Sequence, residues 1–443
     1  MLRIILPKSV KLIIDILEKN GFEAYAVGGC VRDAMLGREP QDWDITTNAL
    51  PFQVKELFTR TIDTGIQHGT VTVMMNHIGY EVTTYRIDGE YEDGRHPNDV
   101  EFTSNLVEDL KRRDFTINAM AYNDRTGLVD EFDGIGDLQR KVIRCVGNPE
   151  DRFNEDALRI MRAVRFAAQL GFGIEENTRN AIVKLAENLK MISKERIHTE
   201  LIKLLVSKNP QMILEMYNTG ITGYILPEFD DMMNTPQNSI YHIYNVGEHT
   251  IKVLTSIEDN QYLRWAALLH DVGKPSTRTT DEKGIDHFHG HEEIGSEIAR
   301  KILKNLKMDN KTIDIVTRLV RYHDYPLTDG KKSIRRSMNK VGEDIYPMFL
   351  KLKRADIEGK SPLSIEKNIP ILQNAELLYE EICRANECVT IRNLDISGKD
   401  LLELGILRGE MVGKTLEKLL EIVLDEPEKN KKEILLEEAK KYL

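Results

Sequence analysis

The sequence predicts an α+β amino-terminal domain, a mixed sheet with helices, followed by all-α domains to the end of the chain. Three observations carry this. Short β-branched runs bounded by turn residues (FEAYAVGG, EPQDWDITTN, GTVTVMM and YEVTTYR) recur within the first 145 residues. From about residue 150 apolar residues instead recur at helical period, as in EDALRIMRAVRFAAQLGF, which Gly171 ends, and NTRNAIVKLAENLKMI. At 443 residues the chain is also too long for one ordinary core. The polar break TPQNS at 235–239 and a turn-rich stretch near 393–398 suggest segments 1–145, 146–235, 236–365 and 366–443.

Composition narrows the class. With 41% hydrophobic and 30% charged residues the chain reads as globular, and no apolar run approaches the roughly 20 residues of a bilayer span. The amino-terminal stretch MLRIILPKSVKLIIDILEKN repeats charges every few residues and reads as an amphipathic first helix rather than a signal peptide. Cys30, Cys145, Cys383 and Cys388 form no CxxC pair, which fits buried thiols in a reducing cytoplasm. A net charge of -11 argues against a broadly basic surface, although arginines gather at 112–113 and within 152–165. Oligomeric state leaves no mark on the sequence.

The first strand runs into Gly28 and Gly29, which open a helix carrying Arg32 and Asp33. Backbone N–H groups at such a helix start form a natural phosphate cradle, although two glycines also make an ordinary tight turn. In the next strand Asp42 and Asp44 flank Trp43, so a period of two puts both carboxylates on one face and sends Trp43 into the core. Paired carboxylates suit hard, oxygen-seeking Mg²⁺, which bridges nucleotide phosphates. KRRDFTINAMA places Arg112, Arg113 and Asp114 before an apolar helical run, where Asp114 reads either as an N-cap or as a contact to a sugar hydroxyl. Glu155, Asp156 and Arg159 lie near the start of a helix that also bears Arg162 and Arg165. Spacing i, i+3 projects Asp156 and Arg159 together, as an intrahelical ion pair or as an acceptor and donor set matching a base edge.

In order, GGCVRD, DWD, RRDFTINAM and EDALRIMR resemble the motifs of bacterial class II tRNA nucleotidyltransferases of the polymerase-β superfamily, from about Phe22 to about Leu205. Each motif is weak alone; four in this order are specific. The resemblance implies Mg-dependent, template-independent addition of CCA to tRNA from CTP and ATP. By it, Asp42 and Asp44 bind magnesium; a third acid is not obvious from the motifs, and Glu81 on the YEVTTYR strand is a candidate. Gly28, Gly29, Arg32 and Asp33 hold the triphosphate, while Arg112 or Arg113, Asp114 and Asn118 contact the nucleotide's sugar end. Asp156 and Arg159 read the base, supported by Glu155 and Arg162. The segment DGEYEDGRHPNDVEF at 88–102 resembles the flexible loop of these enzymes, which argues against C-only addition. An A-only enzyme or a poly(A) polymerase of the same fold remains the alternative.

A histidine-rich block follows. His249, His270, Asp271, His291, His323 and Asp356 supply imidazole and carboxylate donors suited to a divalent transition metal with an open water position. Their order, H…HD…H…H…D over about 240–360, resembles the HD superfamily of metal-dependent phosphohydrolases. The resemblance implies phosphatase or phosphodiesterase activity, or a structural module; a phosphohydrolase with a non-catalytic amino-terminal domain is a further alternative. His242, His287 and His289 fall outside the pattern and read as bystanders. SGKDLLELGILRGEMVGKTLEKLL resembles tRNA-contacting carboxy-terminal helices, its glycines serving either close backbone approach or helix-ending turns.

Overall fold

The computed structural model describes residues 4–88 and 100–442. The loop expected at 88–102 therefore lies mostly outside the described residues. The chain divides into two compact units, Met1–Ile225 and Leu226–Leu443.

In the first unit, α1 (Lys8–Lys19) buries Val10, Ile13, Ile14 and Leu17, the stripe its 3–4 spacing dictates. There follow β1 (Ala24–Val27), α2 (Gly29–Met35), β2 (Ile45–Thr47), α3 (Pro51–Leu57), β3 (Thr61–Gly65), β4 (Thr70–Met75), β5 (Ile78–Thr84), β6 (Arg86–Asp88), β7 (Val100–Phe102), α4 (Leu106–Lys111), β8 (Ala121–Asn123) and β9 (Gly127–Val129). Seven strands form one sheet in the order β3-β4-β5-β2-β1-β8-β9. β2 and β5 run parallel, with Ile45 opposite Val82, and the other pairs are antiparallel, so the sheet is mixed as expected. One core cluster joins Tyr25, Val27, Tyr85, Leu110, Ala119 and Ala121. The helical remainder comprises α5 (Gly134–Arg140), α6 (Pro149–Glu155), α7 (Leu158–Leu170), α8 (Glu176–Leu185) and α9 (Lys194–Leu205), with shorter turns to Ile225. α7, buried almost throughout and packed on α9, ends at Gly171 with φ 71°, a left-handed cap that suits glycine.

Three local expectations are corrected. Asp42, Trp43 and Asp44 lie in the extended segment just before β2, outside its ladder, and Trp43 is half-buried rather than in the core. Strand alternation has no hold on Trp43 where pairing has not begun. RRDFTINAM forms a single 3₁₀ turn, Thr116–Asn118, and then enters β8. β-branched Thr116 and Ile117 resist a helix, and the Asp114 side chain bonds locally to the Phe115 N–H instead. EDALRIMR is not one helix: α6 stops at Glu155, Asp156 is extended (φ -143°, ψ 102°), and α7 begins at Leu158. The Asp156 carboxylate accepts from the Leu158 N–H at 3.0 Å, a capping bond that needs non-helical backbone at 156.

The second unit is helical apart from a two-residue strand pair, Thr279–Thr280 with Asp286–His287. Helices Val246–Ser256, Gln261–Leu269, His291–Asn305, Asn310–Tyr322 and Tyr346–Glu358 carry the histidine block. Asn245, Asn260 and Asp309 accept first-turn N–H groups and fix where three of them start. In the tail, Gly405 (φ 106°) and Gly409 (φ 94°) end one helix and open the next, which is the turn-making reading of those glycines. Among the described residues no helix is long and apolar enough to cross a membrane.

Candidate active site

Gly28, Gly29, Arg32, Asp33, Asp42, Asp44, Arg113, Asp114, Asn118 and Arg162 converge on one cavity of about 470 Å³. Gly28 takes φ 83° at the start of α2, so its backbone demands glycine, and a Cβ there would also push on the tip of Arg113, whose Nη1 would lie 2.9 Å away. The β2–β5 register places Asp44 and Glu81 each one residue before a directly paired couple, Ile45 and Val82. Crowding by the protein raises the Asp44 carboxyl, Arg113 opposes the rise, and Asp42 adds to it. Glu81 rises likewise from burial, then from repulsion by Asp44 and Asp42. Asp42 and Asp44 line the cleft, and a hard cation there would relieve the repulsion that they and Glu81 exert on one another.

The cationic side is held by a continuous network. Arg32 grips Asp33 through two bonds of 2.9 Å and donates to Asn118 Oδ1 at 2.7 Å. Asn118 donates to Asp114 Oδ1 at 3.0 Å, and Arg162 donates to Asp114 Oδ2 at 2.8 Å. Burial alone would raise the Asp114 carboxyl, but the Arg162 charge, the Asn118 bond and Arg159 hold it down to about 2. The Phe166 ring lies beneath three guanidinium groups, Arg32, Arg162 and Arg165, at 4.9, 5.3 and 3.6 Å. Arg112 donates to Asp109 at 2.9 Å, and Arg113 sits 3.6 Å from the same fully buried carboxylate. Asp109, Phe166 and Glu200, which accepts from Arg165 at 2.7 Å, were not marked by any sequence motif.

A second cavity of 280 Å³ shares Arg113, Asp114 and Arg162 with the first and adds Arg112, Asp156, Arg159 and Arg196. Asp156 and Arg159 thus reach one wall, but they do not pair with each other. Arg159 is held by Glu155 and by the Arg152 and Arg112 carbonyls at 3.1 Å each. Asp156 Oδ2 accepts from Arg196 at 2.7 Å. The helix break at Asp156, invisible to a spacing argument, explains the exchange of partners.

In the second unit His249, His270, Asp271, His291, His323 and Asp356 come together and are buried. His270, His291 and His323 direct Nδ1 to backbone carbonyls of Ala267, Phe288 and Val320 at 2.7–2.8 Å, and His249 to Gly359 at 3.2 Å. The proton therefore sits on Nδ1 and the Nε2 lone pairs face inward. Nε2 atoms of His249 and His270 lie 3.3 Å apart beside Asp271 Oδ2, and those of His291 and His323 lie 3.1 Å apart beside Oδ1. Opposed lone pairs at that distance call for a cation, and the donors form two groups sharing Asp271. Asp356 lies 3.0 Å from His249. Lys274 and Lys360, 2.7 and 2.6 Å from Asp271 and Asp356, line the 390 Å³ cavity above. His242, His287 and His289 line it too, outside the two donor groups. Burial and then Lys274 push His242 down to about 3, which keeps it neutral.

Residues 24–144 match the family model for the poly A polymerase head domain, 171–233 the "Probable RNA and SrmB- binding site of polymerase A", and 239–358 the HD domain. A CCA-adding enzyme of Ligilactobacillus salivarius is 37% identical over 444 residues, spanning 99% of this chain and 98% of its own. One from Enterococcus faecalis is 35% identical over 440 residues, spanning 98% and 96%. Among solved structures, the Bacillus stearothermophilus CCA-adding enzyme in complex with CTP is 30% identical, with a TM-score of 0.74 over 99% of this chain and 98% of that one.

Proposed function

The chain belongs to the CCA-adding enzyme family, and from that premise we propose that its amino-terminal cleft adds C, C and A to the 3′ end of tRNA from CTP and ATP. One observation carries the reading: the Asp42 and Asp44 carboxylates and an Asp–Arg wall open on adjoining cavities that share Arg113, Asp114 and Arg162. Asp42 and Asp44, with Glu81 as a candidate third acid, would hold Mg²⁺, which would supply charge neutralisation for the phosphoryl oxygens. Gly28, Gly29, Arg32 and Arg113 receive the triphosphate, with Asp33 fixing Arg32. Asp114, held by Arg162, and Asn118, held by Arg32, meet the sugar, with Arg112 alongside. The tRNA 3′-hydroxyl forms a bond to the α-phosphorus as the bond to pyrophosphate breaks, a reaction that asks for positioning and charge more than covalent help. Asp156 accepts from the exocyclic amino group shared by cytosine and adenine, and Arg159, oriented by Glu155, donates to the neighbouring ring nitrogen. By this assignment residues 1–145 carry transfer, 146–235 the base and RNA contacts, and 366–443 further tRNA contacts.

A second reading applies to 236–365. The inward-facing Nε2 set with Asp271 and Asp356 supports a divalent metal, and Lys274 and Lys360 support a phosphorylated substrate, so this site hydrolyses phosphoesters. The free thiols, three of them buried and Cys383 exposed, together with tRNA as substrate, favour the cytoplasm. The test is extension of three RNAs: tRNA lacking CCA, tRNA ending in CC, and unstructured RNA. Two C additions and then one A on the first support the reading; long A tracts on any RNA would overturn it.

A further inference from the structure

Arg196 belongs to no motif considered above, yet it reaches the wall where the base is read. It lies in the first turn of α9, and its Nη2 donates to Asp156 Oδ2 at 2.7 Å. Both side chains are largely enclosed, with 21% and 16% exposed, where an ion pair is screened far less than on an open surface. Oδ1 of the same carboxylate accepts from the Leu158 N–H at 3.0 Å. Each Asp156 oxygen is thus fixed by one donor from the protein scaffold, one from α9 and one from α7, and what each still offers is a lone pair. One turn further along α9, Glu200 holds Arg165 at 2.7 Å, so the same helix braces both α7 and the turn that leads into it.

We infer that Arg196 is a specificity-determining positioning residue: by fixing Asp156 as an acceptor only, it restricts the pocket to bases that present an amino group. Cytosine and adenine offer N–H to that carboxylate, whereas uracil and guanine present a carbonyl oxygen at the corresponding place. Two sets of lone pairs then face each other, and a carboxylate that cannot swing aside cannot relieve the repulsion. Without Arg196 the carboxylate keeps only its bond to the Leu158 N–H and can turn away, so the penalty against the wrong base falls. The inference rests on Asp156 being the base acceptor.

The test compares wild type, Arg196→Ala, Arg196→Lys and Asp156→Ala in single-nucleotide extension of tRNA lacking CCA. The substrates are CTP, UTP and the CTP analogue that carries hydrogen in place of the 4-amino group. Each enzyme's CTP-to-analogue ratio of kcat/KM is the readout, because a general loss of fold or catalysis lowers both substrates alike. Arg196→Ala is expected to lower that ratio and the CTP-to-UTP ratio about tenfold, the weight of one hydrogen bond to a charged group. Arg196→Lys, which keeps a donor, is expected to recover part of both. If Asp156→Ala loses the preference while Arg196→Ala keeps it, the inference is overturned and the Asp156 assignment stands. If neither variant changes the ratios, the base-reading assignment fails as well. Loss in Arg196→Ala alone would also overturn the inference, since Arg196 would then be the reader.

Discussion

Replacing Asp114 by Asn removes one charge from the middle of the network that joins the two cavities. Asp114 is 8% exposed, and Arg162, Asn118 and Arg159 together overcome its burial to bring its carboxyl from an ordinary 3.8 to about 2. At about 1.4 kcal/mol per tenfold, that shift corresponds to about 2 kcal/mol of stability at pH 7. The folded pKa lies below the unfolded one, so the contribution is complete above about pH 5 and is lost as pH falls through 3.8 toward 2; about half remains at pH 3. The chain has two tryptophans, Trp43 in the first unit and Trp265 fully buried in the second. In a Trp265→Phe background, urea unfolding followed by Trp43 fluorescence reports the first unit alone. Asp114→Asn in that background is expected to lose about 2 kcal/mol at pH 7 and about 1 kcal/mol at pH 3. A loss under about 0.5 kcal/mol at pH 7, or an equal loss at both pH values, would refute the claim that this buried charge is held by its cations.

Gly28→Ala is expected to destabilise by about 1–2 kcal/mol, because φ 83° opposes a Cβ, and to reduce nucleotide incorporation by displacing the tip of Arg113; extension rates and unfolding midpoints check this. Asp42→Ala and Asp44→Ala are each expected to lower incorporation on the order of a thousandfold, while hydrolysis of a generic phosphate ester by the same proteins is unchanged. His270→Ala with Asp271→Ala is expected to do the reverse, abolishing hydrolysis and bound transition metal, measured by elemental analysis, with nucleotide addition retained. If both sets of variants stay folded and lose both activities, the two sites are not independent.

The strand segments, the helix opened by Gly28 and Gly29, and the convergence of the ordered motifs on one cleft were legible because period and motif order survive folding. So was the histidine cluster, whose members come from five separate helices or their ends. Less legible was whatever depends on a local break. Helical spacing pairs Asp156 with Arg159, but the cap at Leu158 breaks the helix and gives Asp156 to Arg196 and Arg159 to Glu155. Trp43 lost its expected place because the ladder begins two residues later, at Ile45. Asp109 was hidden for another reason. It lies in the first turns of α4, where an acid pairing with Arg112 and Arg113 three and four residues on has an ordinary helical role, and only the fold brings Thr46 to it. His287 and His289 are near the metal donors in sequence, yet nothing in their spacing separates a cavity wall from an open surface.

The central claim is that the carboxylates at 42 and 44 together hold a metal ion beside a bound nucleotide triphosphate. A crystal of the protein grown with CTP and Mn²⁺, with data collected at the manganese edge, tests it most directly. The account predicts an anomalous peak about 2.1 Å from an oxygen of each carboxylate and from the triphosphate. Ordered CTP in the cleft with no peak there, or with the ion held by phosphate oxygens alone, would contradict it.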